Sequence, residues 1–536
     1  MISEETDVLI VGGGLAGLCA AIASASDLSK TLIVTKTLLG AATTTSMAAG
    51  IISAVTPHKD PEDSTEIHYQ DTLKGGCYVN DRSLARIMVN DISKYFSRLV
   101  DLGIEFEGGE PRPAFIPGHS KSRAYYMKGK GIRLQNLLKN AALGLGCRCL
   151  ERTLITSLVK DGERVVGAVG YKIDTKEIVT ISAKSTILAT GGPGELYPRT
   201  LMPIGSTGYG CSLALKAGAE LVDMEFVQFY PVMVYEDGLP KIFVDYPPLL
   251  RNGGDVLDED GVSVFKKNKI DEPFKLTRDM FSILLAKEML SGKTERKVYF
   301  DCRGIKEELI KSNMILANAL RDLESKRVPV KERPFGVSPY AHYIMGGVRV
   351  GKDCCTCVPG LYAAGEAVGG PHGANRIGGN AFAAAVAFGF RSGMAASMDC
   401  SATEAGSKEP FKKACEELSA SLSSEGEVSA QKLRSEVQQL MWEKVGLLRT
   451  KEGTEKALVA FNAIREAIPA SADPVEKLLL PMMIDTAEAI AISAMIREES
   501  RGSHYRTDFP EQSENWKKRI SIRLKDGECE VNLIEV

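Results

Sequence analysis

The chain opens on a near-continuous apolar run, Thr6-Asp7-Val8-Leu9-Ile10-Val11, of strand length. A glycine cluster, Gly12-Gly13-Gly14-Leu15-Ala16-Gly17, interrupts it, and an Ala-rich segment of helical character follows. Apolar runs without alternation predict strands buried on both faces, so the opening reads as strand, tight turn and helix in a parallel α/β sheet. Thr31-Leu32-Ile33-Val34-Thr35 predicts a second strand, Ser185-Thr186-Ile187-Leu188-Ala189 a third running into Thr190-Gly191-Gly192, and Gly360-Leu361-Tyr362-Ala363-Ala364 a short fourth ending in Gly365-Glu366. These pieces predict one nucleotide-binding domain assembled from distant stretches. From about residue 231 to 340 the chain is richer in charge and Pro, as expected of an inserted small domain. From about 407 apolar residues recur at three-to-four spacing over Glu416 to Leu422, Ala430 to Val445 and Thr454 to Ile468, predicting a helical C-terminal part.

The glycine cluster gives this pattern its first chemistry. Gly12 permits the turn, Gly14 lets a pyrophosphate approach the backbone, and Gly17 lets the helix lie close to the strand. Free amides at the helix start, including those of Gly13, Leu15 and Ala16, face the phosphates. The second strand ends at Lys36, where a dinucleotide fold usually supplies an acidic ribose contact. That contact is therefore missing or made elsewhere, and Lys36 stays among the cofactor-facing candidates.

Composition narrows the class further. The 536 residues carry 66 Lys and Arg against 69 Asp and Glu, so no global field favours nucleic acid or an anionic membrane. An anionic ligand must be held by local cations. Twelve cysteines in a chain of this length are too dilute for a disulfide framework. The acidic start lacks the basic end and apolar run of a signal peptide, which predicts a cytoplasmic protein with reduced thiols. Without an apolar run of about 20 residues, direct membrane insertion is not expected. Cys354-Cys355-Thr356-Cys357 fits no four-ligand spacing, so no metal is expected.

Several segments, in order, resemble the flavoprotein subunits of succinate dehydrogenase and fumarate reductase, together with L-aspartate oxidase and soluble fumarate reductases. They are the N-terminal glycines, Ala189-Thr190-Gly191-Gly192, Met224-Glu225-Phe226-Val227-Gln228-Phe229, His342-Tyr343-Ile344-Met345-Gly346-Gly347, Gly365-Glu366, His372 to Asn380, and Glu499 to Arg506. The resemblance implies an α/β, Rossmann-like FAD-binding domain (1–230 and 341–405), interrupted by an α+β capping domain (231–340) and followed by a C-terminal helical domain (406–536). It implies two-electron redox chemistry on a dicarboxylate or related carboxylic acid, with hydride transfer at flavin N5. Glu366 matches a contact to the ribose or ribitol hydroxyls. Gly379 and Asn380 precede a helix whose N-terminus would stabilise negative charge on reduced flavin. Arg376 and His342 match the carboxylate-binding Arg and His, and Arg278 the proton-transferring Arg. The respiratory enzymes attach FAD through a His; here the matching position is close to Thr43 and no His is nearby, which implies non-covalent FAD.

Departures from the family pattern concentrate in the expected substrate site. Arg251 survives as a candidate carboxylate contact. Pro247 and Pro248 stand where the family has Thr and a relay Glu, Tyr230 replaces a His, and Tyr209 replaces an Asp. Either Tyr230 and another group bind a related acid, or the substrate is larger or less charged than fumarate. Two alternatives remain open: an L-aspartate oxidase, or an electron-transfer subunit of a larger complex with a modified pocket. The chain lacks a ferredoxin-type Cys set, so an iron–sulfur centre would belong to a partner chain. His119 with Arg123 is a weaker site candidate. Arg501, His504 and Arg506 are read as ligand contacts or as ties between domains.

Overall fold

The computed structural model describes residues 1–27, 29–56, 61–291, 297–401, 409–423, 428–468, 473–525 and 527–536. The chain forms two compact units. The larger comprises Met1–Pro198, Met202–Val227 and Tyr343–Val536, and the smaller Arg199–Leu201 and Gln228–His342.

A seven-stranded sheet organises the larger unit, in the order Arg148–Leu150, Thr31–Val34, Ile2–Val11, Glu177–Leu188, Arg164–Lys172 and Thr153–Asp161, with Leu361–Ala363 also paired to Glu177–Leu188. The strands predicted from apolar runs pair with one another in parallel, and Arg148–Leu150, not predicted as a strand from an apolar run, adds one more parallel strand. Val11 lies opposite both Val34 and Leu188, and Leu188 opposite Ala363, so these strands end level. The segments carrying Gly12, Lys36, Thr190 and Gly365 therefore leave the sheet along one edge, the carboxyl edge where open α/β sheets bind ligands. Against the sheet, helix Leu15–Ser26 packs on the long helix Asn380–Ser401. A Cβ on Gly393 would stand 2.3 Å from the Ala20 carbonyl oxygen, so a bare backbone is needed where the helices meet.

Helices Glu409–Ser423, Ala430–Lys444 and Lys451–Ala467 follow the periodic pattern. Thr450 caps the last by accepting the Gly453 amide, which starts it earlier than the apolar spacing suggested. The expected boundary at 405/406 lies outside the described residues. A fourth helix, Pro474–Ile496, has no sustained polar face and so gave no periodic signal. The chain then ends in an antiparallel hairpin, Lys518–Lys525 and Glu528–Glu535, which pairs with Leu221–Val222. The C-terminal part is thus not helical throughout. Asn380–Cys400 and Pro474–Ile496 are long and apolar enough to cross a bilayer, contrary to the expectation that no such run exists. In each, 67% of the apolar window is buried inside the protein, as in core helices.

The smaller unit holds a four-stranded sheet ordered Val227–Val234, Phe335–Ile344, Val298–Asp301, Asp255–Leu257. Helices Tyr246–Arg251, Arg278–Ser291 and Met314–Ser325 accompany it. Its core is built from Val232, Val256, Phe281, Leu285, Phe300 and Phe335, all buried.

Candidate functional site

At the carboxyl edge of the large sheet the glycines divide into two kinds. Gly12 has a positive φ of 117°, and a Cβ there would meet the Ala189 carbonyl oxygen at 2.2 Å. A Cβ on Gly17 would strike the Gly12 carbonyl oxygen at 2.0 Å. These two are bare because backbone packs on backbone. Gly14 differs, since a Cβ there would find nothing nearer than the Thr45 hydroxyl at 3.8 Å, and at Gly191 nothing within 4 Å. Beside Gly191 the Thr190 hydroxyl is buried without a hydrogen-bond partner. Open backbone at two strand ends, an orphaned hydroxyl and a helix start together fit a phosphate-bearing cofactor.

Polar side chains brace this turn. The Leu15 amide donates to Thr45 Oγ1 (3.1 Å), Gln135 donates to the Gly13 carbonyl, and Thr43 donates to Gln135 Oε1 (2.9 Å). Thr43 also caps the short helix Thr44–Met47 by accepting the Ser46 amide. Thr43, close to which the resemblance puts the family's flavin-attachment position, is thus part of the scaffold under the glycine turn. Neither Thr45 nor Gln135 stood out in the sequence, because nothing local marks a residue that will reach a turn 30 or more positions away. Lys36 donates to the Gly205 carbonyl and lies over the Tyr209 ring, 4.7 Å from its centroid. Burial lowers this ammonium to about 8. Lys36 therefore holds the Gly205 loop, and Tyr209 receives its charge.

Glu366 follows the strand Leu361–Ala363, and its Oε1 accepts the Ile344 amide (3.2 Å). Burial pushes this carboxyl up to about 8, against smaller opposing pulls from the Ile344 amide and then Arg376. Arg376 is buried, donates to the Ile377 carbonyl (3.2 Å) and lies 4.7 Å from the Tyr343 ring centroid. At the start of Asn380–Ser401 two histidines hold the turn, one through backbone and one through a side chain. His119 Nε2 donates to the Gly378 carbonyl (2.8 Å), while its Nδ1 accepts from Arg123, which is paired with Asp63 and Asp71. His68 Nε2 donates to Asn380 Oδ1 (2.9 Å), and Asn380 Nδ2 donates to Thr72 Oγ1 (3.0 Å). Both histidines are held neutral: burial lowers His68 well below the ordinary range and His119 to about 4. The weak candidates His119 and Arg123 thus support the Gly378–Asn380 turn.

The C-terminal candidates make ion pairs and hydrogen bonds within the same unit. Arg501 pairs with Glu499, Arg506 with Asp508, and His504 Nδ1 accepts from Arg449. Cys354 is buried and donates to the Phe388 carbonyl, while Cys355 and Cys357 are exposed. Among the described residues no group of three or more His, Cys, Asp or Glu side chains is placed to hold a metal.

In the smaller unit Tyr230, Arg278 and His342 come together. The Arg278 guanidinium lies 5.5 Å from the Tyr230 ring centroid, and the His342 ring meets Tyr230 edge-on at 5.7 Å. Arg278 starts helix Arg278–Ser291, and its Nη1 is buried with no hydrogen-bond partner. The Tyr230 hydroxyl donates to the Val244 carbonyl (2.8 Å). Arg251 stands apart from this group, exposed at the end of Tyr246–Arg251 with its guanidinium over Phe274 (5.0 Å). Two neighbours escaped the sequence reading. Phe243 stacks on Tyr230 at 4.2 Å, and Asp245 faces Arg278 electrostatically. Asp245 is solvent-accessible but ringed by protein, which pushes its carboxyl up to about 6 while Arg278 pulls it down.

Comparison with known proteins bears on both halves. Residues 7–382 match the FAD binding domain family, and residues 434–536 match the fumarate reductase flavoprotein C-terminal family. The chain belongs to the succinate dehydrogenase and fumarate reductase flavoprotein family. It is an oxidoreductase of that family with an FAD-binding domain. Within the family it is 34% identical to a subunit of the fumarate reductase (CoM/CoB) of Methanothermobacter marburgensis, covering 97% of each chain. It is 30% identical to an L-aspartate oxidase of Nicotiana tabacum over 96% of this chain and 83% of the other. The Sdh1 complex of Mycobacterium smegmatis contains a chain of the same fold, with a TM-score of 0.89 and 27% identity over 100% of this chain and 94% of that one. The open backbone at Gly14 and Gly191 and the orphaned Thr190 hydroxyl fit the FAD of this family.

Proposed function

We propose that this flavoprotein carries FAD non-covalently and catalyses two-electron oxidation or reduction of a carboxylic acid. When bound, FAD supplies hydride exchange at N5. The pyrophosphate is assigned to the Gly12 to Gly17 turn and its amides other than those of Gly12 and Leu15, which the Val34 carbonyl and the Thr45 hydroxyl already hold. The ribityl and ribose region is assigned to Thr190, Gly191, Gly192 and Glu366, and the flavin ring to the Gly379-Asn380 turn. Arg376 and His342 are assigned to pairing with and polarising a carboxylate, and Arg278 to proton transfer at substrate carbon. Arg278 carries the reading. A buried guanidinium nitrogen with no acceptor costs folding free energy, and a substrate or relay oxygen would recover it. A free Arg is a poor acid, so its proton must be replenished; Asp245, its electrostatic neighbour, is a carboxyl suited to that exchange.

The segment around Thr43, close to the family's attachment position, supports non-covalent binding, because it holds no His and the Thr43 hydroxyl is tied to Gln135. Acid precipitation of the purified protein should release all flavin into the supernatant, and peptide-bound flavin would refute this. Anaerobic reduced protein mixed in turn with fumarate, iminoaspartate and oxygen should show which acceptor reoxidises it.

One observation favours a second reading. With the Tyr230 hydroxyl spent on Val244 and prolines at 247 and 248, the smaller unit has lost donors that a dicarboxylate would use. An electron-transfer subunit paired with an iron–sulfur partner would tolerate that loss, and similar proteins are named as subunits or complexes. Failure of every carboxylic acid to reoxidise the flavin, with rapid reoxidation by a one-electron dye, would select it.

A further inference from the structure

The face of the smaller unit around Tyr230 is chemically lopsided. Arg278 offers a buried donor nitrogen without a partner. Everything else described around Tyr230, His342 apart, suits an apolar group or repels an anion. The Tyr230 hydroxyl points its proton at the Val244 carbonyl and is not available to a ligand oxygen. Its ring is sandwiched among Phe243 (4.2 Å), Tyr246 (5.6 Å) and His342 (5.7 Å). Phe243, the outer member of the stack, is 38% exposed, an uncovered aromatic surface on a buried aromatic cluster. At the start of helix Tyr246–Arg251, where free amides would ordinarily receive an anion, Pro247 and Pro248 have no N–H to give. Asp245, exposed two residues after Phe243, adds a negative charge. Arg251 is turned away over Phe274.

A dianion placed here would find cationic pairing for one carboxylate, while the second would meet an aromatic ring and a like charge. Removing that second carboxylate from water without a partner costs several kcal/mol, on the order of the whole binding free energy of a small acid. A planar apolar group in the same place would cover Phe243 and gain aromatic contact.

We propose that the acid this protein acts on is a mono-anionic 2-enoate, or its saturated counterpart, bearing a planar apolar substituent, with Phe243 and Tyr230 as the residues that select it. This rests on the carboxylic acid reading above and names its substrate class. The balance is that of an alkene reduction. The carbon–carbon π bond is lost and two C–H bonds form, one from a hydride that carries both electrons from reduced flavin and one from a proton delivered by the protein, and the carboxylate is unchanged.

The test uses the FAD-loaded protein, reduced anaerobically, with cinnamate and fumarate as paired probes at equal concentration. Cinnamate is expected to reoxidise the flavin with a second-order rate constant at least tenfold above that for fumarate. In the oxidised protein, 3-phenylpropanoate is expected to perturb the flavin absorption band at concentrations where succinate does not. Phe243→Ala should lower the cinnamate-to-fumarate ratio tenfold or more, whereas Phe243→Tyr should retain it. Faster reoxidation by fumarate, or a ratio unmoved by Phe243→Ala in a variant with full FAD content, overturns the proposal and leaves the carboxylic acid reading standing. Silence towards both acids in rate and in spectrum overturns the proposal and that reading together.

Discussion

Glu366 and Arg278 show how single residues acquire function from their surroundings. A carboxyl held at about 8 keeps its proton in the folded protein from about 4.5, its ordinary value, up to 8, where the unfolded chain has lost it. Its contribution to stability is complete below 4.5 and is lost as the pH rises to 8. Glu366→Gln should therefore raise the melting temperature of FAD-free protein at pH 8.5 relative to wild type, with little difference at pH 5, and should weaken FAD binding at both. Arg278→Gln should lower turnover roughly a thousandfold, the scale of a lost general acid, while flavin content and absorption stay unchanged. Unchanged turnover would move proton transfer to another group. Arg278 was visible in the sequence through a motif; its neighbours Asp245 and Phe243 were not, because neither lies in a recognisable pattern and only the fold of the smaller unit brings them to Tyr230.

Elements divide the glycines by role. Strand Ile2–Val11 and helix Leu15–Ser26 meet so closely that a Cβ on Gly17 would stand 2.0 Å from a backbone oxygen, whereas one on Gly14 would have room. Gly17→Ala should cost about 3 kcal/mol in urea unfolding of the FAD-free protein. Gly14→Ala should leave that stability within about 0.5 kcal/mol and weaken FAD at least tenfold in a titration, because its cost falls only on a ligand that needs the backbone. Equal effects on stability would mean that both glycines serve packing alone. The turn that starts Asn380–Ser401 shows the reverse case. Gly378, Gly379 and Asn380 were legible as a helix start, but the His68 and His119 hydrogen bonds beneath them join segments some 260 to 310 residues apart. Helix Pro474–Ile496 went unread because a helix without a sustained polar face has no 3.6-residue rhythm. The terminal hairpin, by contrast, does alternate, at Ile520, Ile522 and Leu524 and at Cys529, Val531 and Leu533, and was lost to the helical reading of 406–536.

Across the whole molecule, burial of charged and titratable groups sets the response to acid. His119 at about 4 and His372 at about 3 lie below the ordinary 6.5, so the unfolded chain takes up protons that the fold refuses. Their stabilisation is complete above about 6.5 and is lost as the pH falls through 4 and 3. Buried carboxyls such as Glu366 contribute in the opposite direction over this range, so the His119 share is isolated by His119→Gln, which keeps a donor to Gly378: its urea midpoint relative to wild type should rise as the pH falls from 6.5 to 4. The Arg497 guanidinium, fully buried between Glu225 and Glu499, ties the C-terminal segment into the larger unit. Glu225→Gln leaves part of that charge uncompensated and should cost about 3 kcal/mol in chemical denaturation. What the sequence determined by itself was the parallel sheet, the glycine turn and the family, since contiguous apolar runs, fixed spacings and ordered motifs are local properties that survive without coordinates. Tertiary structure alone decided that Lys36 serves the Gly205 loop, that Arg251 stands apart from Tyr230, that the Tyr230 hydroxyl is spent on Val244, and that an aromatic face and a carboxylate surround Arg278. Each of these depends on which partner lies within about 3 to 6 Å, and that proximity is created only when distant segments pack.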